Sequence, residues 1–391
     1  MTRWVRNTCI AACAAAVACG GGSTPAPTPT TPTPTTPTTP TSIAAPAAAG
    51  PGADEQLTSL RPTLIVTNSS TANSGTRTYE FQVSDKSDFT ASGGASANFP
   101  VTVTKTGVAE GTGSTSYTVE ADLLPAARLY WRARATNGTL TSDWSAVRSL
   151  RTQIVGFNRN GELYDPLVNG QTVADLLFKR TAFIGGKGLR INDSDSYARY
   201  RLNPPITAGG EFSVDVEGLT DRPVSENPDT AKLKIFSMSD SLFTIYQSKW
   251  LMDVQYRGFN GNPPNSIAYK VLFGKDEDDH KLEPNLGERT AGIRQLVPGN
   301  TYHWKATFGM GFRLAITDGG PGAATGIGGA AVYEFGQTIG FMYAPNPMFA
   351  YLGVNDSGSE TGSFPNAIYR NLWIGNKARP PALGTALRPL P

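Results

Sequence analysis

The stretch "GEFSVDVEG" carries acidic groups at alternate positions. At the two-residue period of a β-strand, Glu211, Ser213, Asp215 and Glu217 share one face, and Phe212, Val214 and Val216 share the other. Alternate strand residues lie about 7 Å apart. Two carboxylates so placed can serve as nucleophile and acid/base in a retaining glycosidase, which makes Asp215 and Glu217 catalytic candidates. A second row lies in "KWLMDVQYRGF", where Asp253, Gln255 and Arg257 alternate with Trp250, Met252, Val254 and Tyr256. Carboxylate and amide acceptors pair with sugar hydroxyls, and Arg adds a fork of donors. The row reads as ligand-binding, with a solvated outer face as the alternative. In "NTYHWKATFG", His303 is one of only two histidines and shares its parity with Lys305. An imidazole there is a candidate general base, and Lys305 joins the ligand-binding candidates.

Two loops are rich in oxygen ligands: "INDSDSY" (Asn192, Asp193, Asp195) and "GVNDSGSE" (Asn355, Asp356, Glu360). Calcium takes such carboxylates and carbonyls, so a structural Ca2+ is the one cofactor to consider. Neither loop has EF-hand spacing, and the same residues also simply make turns. The run "KDEDDHKLE" reads as a solvated loop. The chain has no Cys/His metal spacing and no Ser/His/Asp arrangement that chain order supports. "GGPGAATGIGGA" lacks the following helix that a nucleotide site requires.

The elements that must position these residues are strands. With 42 Gly and 29 Pro, long helices are disfavoured. Residues 52–153 alternate regularly: Tyr79, Phe81 and Val83 against Glu80 and Gln82, then Tyr117 with Val119. Leu129, Trp131, Ala133 and Ala135 then alternate with Tyr130, Arg132 and Arg134. That pattern predicts an antiparallel sandwich with Trp131 in its core and Arg132 and Arg134 on a solvated face, stacked with Trp144. Residues 157–377 continue with longer strand patterns, which one large jelly-roll sandwich accounts for better than two small domains. One short segment, "TVADLLFKR", has the composition of a helix. Residues 378–391 read as a Pro-rich tail. The fold class expected is all-β.

The amino terminus says where the protein works. Arg3 and Arg6 precede an apolar run of about ten residues, too short to span a bilayer. Small residues then lead to Cys19, a secretory signal pattern over residues 1–18. Removal of that segment takes the basic residues from 34 to 32, equal to the 32 acidic ones, and removes Cys9 and Cys13. The exported chain then keeps one Cys, at its first position, and cannot form an internal disulfide. Its domains must be stable from packing alone. Thr24–Thr41, within a linker over residues 19–51, is almost entirely Pro and Thr. As polyproline II it would extend roughly 50–60 Å, a stalk with nothing to bury. No basic cluster follows a phosphate backbone, so nucleic acid is not expected as a partner.

Three resemblances follow from these residues. "AVAC" resembles the lipobox of bacterial lipoproteins, with Ala16 where Leu is usual; it implies lipid on Cys19 and a membrane partner. The location implied is the cell surface or the periplasmic face of the outer membrane. "YEFQVSDKSDF" with "LLPAARLYWRARATNGTLTSDWS" resembles a fibronectin type III domain, with Leu124, Tyr130 and Trp144 at family positions. "GKGLRINDSDSYARYRLNPPITAGGEFSVDVEGL" and the closing "GSFPNAIYRNLWIGN" resemble the concanavalin-like lectin/glucanase fold, whose last strand returns beside the first. Glucanases of that fold carry Glu, Asp and Glu at alternate positions. Here Ser213 stands where the first Glu would lie, which removes one catalytic carboxylate. Lyases of that fold pair a Tyr or His base with Gln/Asn and Arg, a set Gln255, Arg257 and His303 would supply. The expected function is non-catalytic glycan recognition at the cell envelope, with aromatics available to stack on sugar rings. A polysaccharide hydrolase or lyase, and an adhesive surface protein with a protein partner, are the alternatives.

Overall fold

The computed structural model describes residues 42–70, 75–91, 94–191, 196–219, 232–240, 242, 250–257, 266–273, 281–282, 296–343, 348–353, 361–362 and 367–388. Cys19, the signal segment and Thr24–Thr41 lie outside these residues, as do Asn192, Asp193, Asp195 and Asp356. All regular structure among the described residues is β, in two sandwiches.

The first sandwich holds β1 (Ala47–Gly50), β2 (Glu55–Gln56), β3 (Thr63–Thr67), β4 (Thr78–Ser84), β5 (Thr102–Ala109), β6 (Ser114–Thr118), β7 (Arg128–Thr136) and β8 (Arg148–Arg151). One sheet runs β1-β3-β6 and the other β2-β8-β7-β4-β5. The alternation read from the sequence is the burial pattern observed. Tyr79, Phe81, Val83, Leu129, Trp131, Ala133 and Ala135 all lie in the core between the sheets. Removing the Trp131 ring would cost about 3–5 kcal/mol. Leu124 is in that core, whereas Tyr130 sits half-buried on the opposite face of β7.

The second sandwich runs through β9 (Phe157–Arg159), β10 (Glu162–Asp165), β11 (Leu176–Phe178), β12 (Thr181–Ile184), β13 (Gly188–Ile191), β14 (Tyr197–Arg201), β15 (Gly210–Glu217) and β16 (Lys232–Ser239). It continues with β17 (Trp250–Arg257), β18 (Ser266–Phe273), β19 (Lys281–Leu282), β20 (Asn300–Pro321), β21 (Ala330–Tyr343), β22 (Phe349–Gly353), β23 (Thr361–Gly362) and β24 (Ile368–Gly375). One sheet orders β12-β13-β24-β15-β20-β21, and the other β11-β14-β22-β16-β17-β18-β19. The last strand, β24, therefore lies between β13 and β15, beside the opening of the sandwich. Phe212, Val214, Val216, Tyr302 and Trp304 meet Phe236, Met252, Val254 and Leu352 between the sheets. Phe212 stacks on Phe236 with ring centroids 4.2 Å apart.

Three expectations need correction. "TVADLLFKR" is not helical: Leu176–Phe178 form β11, paired antiparallel with β14. A nine-residue helix is marginal alone, and the edge of β14 offers its backbone partners directly. Residues 47–50, placed in the linker, are β1, and Ile43 before them is buried in the first core. The C-terminal segment is not a free tail. Ala382 and Leu383 are buried in the first core, and the backbone N–H of Ala386 donates to the Ala126 carbonyl at 2.9 Å. The Arg128 N–H donates to Thr385 Oγ1 at 2.8 Å.

That segment and two strands of the second sandwich join the two units. Tyr164 on β10 and Trp373 on β24 face each other in register and belong to the first sandwich's core cluster. Phe99 packs edge-on against Phe157 at 4.8 Å. Buried Glu162 clamps the loop before β5, accepting from Ser96 Oγ at 2.6 Å, the Ala97 N–H at 2.8 Å and Asn98 Nδ2 at 2.9 Å. The outer face of the β15–β24 sheet is thus covered, which decides the fate of the polar residues on it.

Candidate functional site

Asp215 is the centre of the polar row on β15. It pairs in register with His303 on β20 and Arg370 on β24. Its Oδ1 lies 2.9 Å from His303 Nδ1 and accepts the Gly326 N–H at 3.2 Å, while its Oδ2 accepts from Asn371 Nδ2 at 2.7 Å. The carboxylate is fully buried. Burial raises its pKa, but His303 and the hydrogen bonds from Asn371 and Thr325 outweigh that and hold it below the usual range. An ionised Asp215 accepts only, so His303 Nδ1 carries the proton between them. Gly326 makes the arrangement possible. A Cβ there would sit 2.4 Å from the His303 backbone nitrogen.

His303 opens onto a cavity of about 300 Å³, in the range of small-molecule sites. Glu211 and Lys305 line it with His303, and Ala315, Ile327, Pro380 and Pro381 form apolar walls. The strand pairing explains the convergence: Ser213 is opposite Lys305 and Asp215 opposite His303, so Glu211, His303 and Lys305 rise from one patch of two adjacent strands. Glu211 also accepts from Ser213 Oγ at 3.2 Å. Thr317 donates to the Gly326 carbonyl at 2.6 Å, which fixes the covering loop. The cavity therefore presents a carboxylate, an imidazole and an ammonium donor beside apolar walls.

Glu217 does not reach this constellation. Its Oε2 accepts from Arg370 Nη1 at 3.3 Å, and its Oε1 lies 3.6 Å from Lys187 Nζ. Arg370 is itself buried and also donates to Thr301 Oγ1 and the Ala323 carbonyl. Burial lowers the Arg370 pKa, and Asp215 and Glu217 oppose that shift. Glu217 is thus part of a buried ion network. The outer face of β15, polar in sequence, is covered in the fold.

The second row is separated from the first. Met252 and Val254 face the core, so Asp253 and Gln255 lie on the outer face of the other sheet. His303 and Gln255 therefore sit on opposite outer faces of the sandwich, and the set Gln255, Arg257 and His303 is not assembled. Asp253 is fully buried and Gln255 nearly so. Asp253 Oδ2 accepts from Gln255 Nε2 at 2.5 Å and lies 3.8 Å from Lys234 Nζ. Arg257 shares their parity on β17, and its side chain lies outside the described residues. Among the described residues no group of three His, Cys, Asp or Glu side chains is placed to hold a metal.

The aromatic platforms expected for sugars are elsewhere. Trp131, Trp304 and Trp373 are fully buried. Trp144, on the first sandwich, is already covered by the guanidinium groups of Arg132 and Arg134 at 4.2 and 4.4 Å. Sequence reasoning passed over Glu211 as a ligand contact and Pro380 and Pro381 as walls. Glu211 carried a signal, being the first acidic member of the β15 row. The prolines carried none, because only the folded-back C-terminal segment brings them there.

No family model matches the sequence, and no curated protein matches it. Among solved structures, the chain is similar to the botulinum neurotoxin type G receptor binding domain, with a TM-score of 0.32 and 10% identity over 57% of this chain and 49% of that one. The chain thus spans about half the length of that structure. It is also similar to the FN1–FN3 domains of chicken CNTN1, with a TM-score of 0.20 and 11% identity over 76% of this chain and 98% of that one. At these scores neither likeness bears on function, and the β-sandwich architecture rests on the strand pairing itself.

Proposed function

We propose that the chain is a non-catalytic carbohydrate-recognition protein of the cell envelope, and that the sugar occupies the cavity of Glu211, His303 and Lys305. The observation that carries this reading is the convergence of a carboxylate, an imidazole and an ammonium group on a cavity with apolar walls. Sugar hydroxyls pair with both kinds of polar group, and a C–H face of the ring packs on Pro380, Pro381 and Ile327. Paired-carboxylate hydrolysis is disfavoured, because Asp215 and Glu217 are both engaged away from the cavity. Two finer readings accompany this proposal. The three-strand and five-strand sheets of the first unit support a fibronectin type III spacer, and β24 beside β13 supports a concanavalin-like second unit. The "AVAC" pattern supports a lipid on Cys19 that tethers both to a membrane facing the cell surface or the periplasm.

One observation favours a second reading. A histidine oriented by a buried aspartate is the arrangement of a general base. With Lys305 to meet a uronate carboxylate, it would suit proton abstraction in a polysaccharide lyase. The test is a glycan array probed with the full folded chain, followed by product analysis on each hit, including the absorbance of unsaturated uronates. Saturable binding without products supports recognition, and unsaturated products transfer the site to the lyase reading. Absence of any binding removes both.

A further inference from the structure

A second, larger cavity of about 620 Å³ lies where the first sandwich, the second sandwich and the C-terminal segment meet. Arg151 of β8, Arg370 of β24 and Arg388 line it, with Gln56 and Asn169. Among the described residues no carboxylate lines it. Arg151 and Arg370 are almost fully buried, yet among the described residues Arg151 Nη2 and Arg370 Nε have no hydrogen-bond acceptor. The carboxylates that touch these arginines are shared with other cations. Asp54 takes both nitrogens of the Arg128 fork at 2.8 Å and lies 3.7 Å from Arg151. Glu217 divides itself between Arg370 and Lys187. Arg388 is exposed.

A cavity lined by three guanidinium groups and, among the described residues, by no acid has a surplus of positive charge in a region of low dielectric, which favours an anion. The planar forks match a compact oxyanion with two or three oxygens. Ile154, Val168 and Leu387 give the rest of the cavity apolar walls, so the anion would be carried on an organic body and not free in solution. We infer that this cavity binds a small organic oxyanion, a carboxylate or a sulfate or phosphate ester, on a body the size of a sugar ring. The inference stands apart from the Glu211 cavity and does not need it. Because the site draws on both sandwiches and the C-terminal segment, its occupant would also fasten that segment in place.

The experiment is calorimetric titration of the full folded chain with glucuronate, glucose 6-sulfate, glucose 6-phosphate and glucose. At least one anion is expected to bind, more weakly as salt rises, while glucose does not bind at this site. Arg388→Ala is expected to weaken the anion about ten-fold, and Arg388→Lys less. Arg388 is exposed, so its replacement leaves the fold intact, and Arg151→Lys tests the buried fork with its charge kept. Glu211→Gln, in the other cavity, is expected to leave anion binding unchanged. The relative affinities of the three anions identify the oxyanion. Failure of all three anions to bind, equal binding by Arg388→Ala, or glucose binding that Arg388→Ala weakens overturns the inference. Loss on Glu211→Gln alone assigns the anion to the other cavity, which overturns this site and leaves the proposed function standing.

Discussion

On β7, Tyr130, Arg132 and Arg134 point away from the first core; on β15, Glu211, Ser213, Asp215 and Glu217 point away from the second. Both rows follow the same period. The first stays half-exposed: Arg132 and Arg134 lie over Trp144, Arg134 pairs with Glu80 at 2.7 Å, and Arg132 donates to Gln82 at 2.9 and 3.1 Å. The second lies under the loop through Gly326, the C-terminal segment and the first sandwich; every member of it is buried, and Glu211 lines the His303 cavity. Period two fixes which face a residue takes. Whether that face is wet depends on what later folds over it, and burial turns a weak surface pair into a strong constraint.

The largest expected effect follows directly. Asp215→Ala should cost about 3–5 kcal/mol in denaturant unfolding, because it strands buried donors on His303, Asn371 and Gly326. Glu80→Ala, the matching lesion on the exposed row, should cost less than about 1 kcal/mol. Equal losses would break the comparison.

The next prediction contrasts two buried carboxylates. Asp165 is as buried as Asp215, but its partners are neutral: Thr172 Oγ1 at 2.5 Å, the Val173 N–H at 2.9 Å and the Leu167 N–H at 3.2 Å. Burial dominates and pushes its pKa up to about 6. A raised carboxyl binds its proton more tightly in the folded state, so its contribution is complete below about pH 4 and is lost as pH rises through about 6. The span is roughly 3 kcal/mol. Asp215, held low, acts in the opposite sense: its contribution is present at neutral pH and lost on acidification. Unfolding free energy measured from pH 4 to pH 7 should fall less steeply with pH in Asp165→Asn than in the unchanged chain. An unaltered slope would contradict the assignment.

A smaller effect is expected on the exposed row. Trp144→Ala removes two cation–π contacts worth about 0.5–1 kcal/mol each. The unfolding midpoint should move by a few degrees at most, and sugar binding should not change. Loss of binding in this variant would shift the ligand to the first sandwich.

The alternation of β4, β7, β15 and β17 could be read residue by residue, because a strand with one buried face repeats every two residues. The Arg132–Trp144–Arg134 stack was legible for the same reason. The site was legible only in part. His303, Lys305 and Asp215 were named, but nothing local says that His303 pairs with Asp215, 88 positions away. The row of Asp253 and Gln255 looked like a ligand face because polar residues at strand period usually meet water, and here they do not. The role of Pro380 and Pro381 was hidden by composition: a Pro-rich terminus reads as free chain until Ala382 and Leu383 are seen in the first core.

The most direct test of the recognition site is a titration of the array's best glycan into the unchanged chain and into Lys305→Ala. Lys305 is exposed on β20, so the variant should fold normally. The account predicts binding about ten-fold weaker in the variant, with no product formed by either protein. Equal affinity in both proteins would contradict the placement of the sugar in the His303 cavity, and product formation by the unchanged chain would contradict its non-catalytic character.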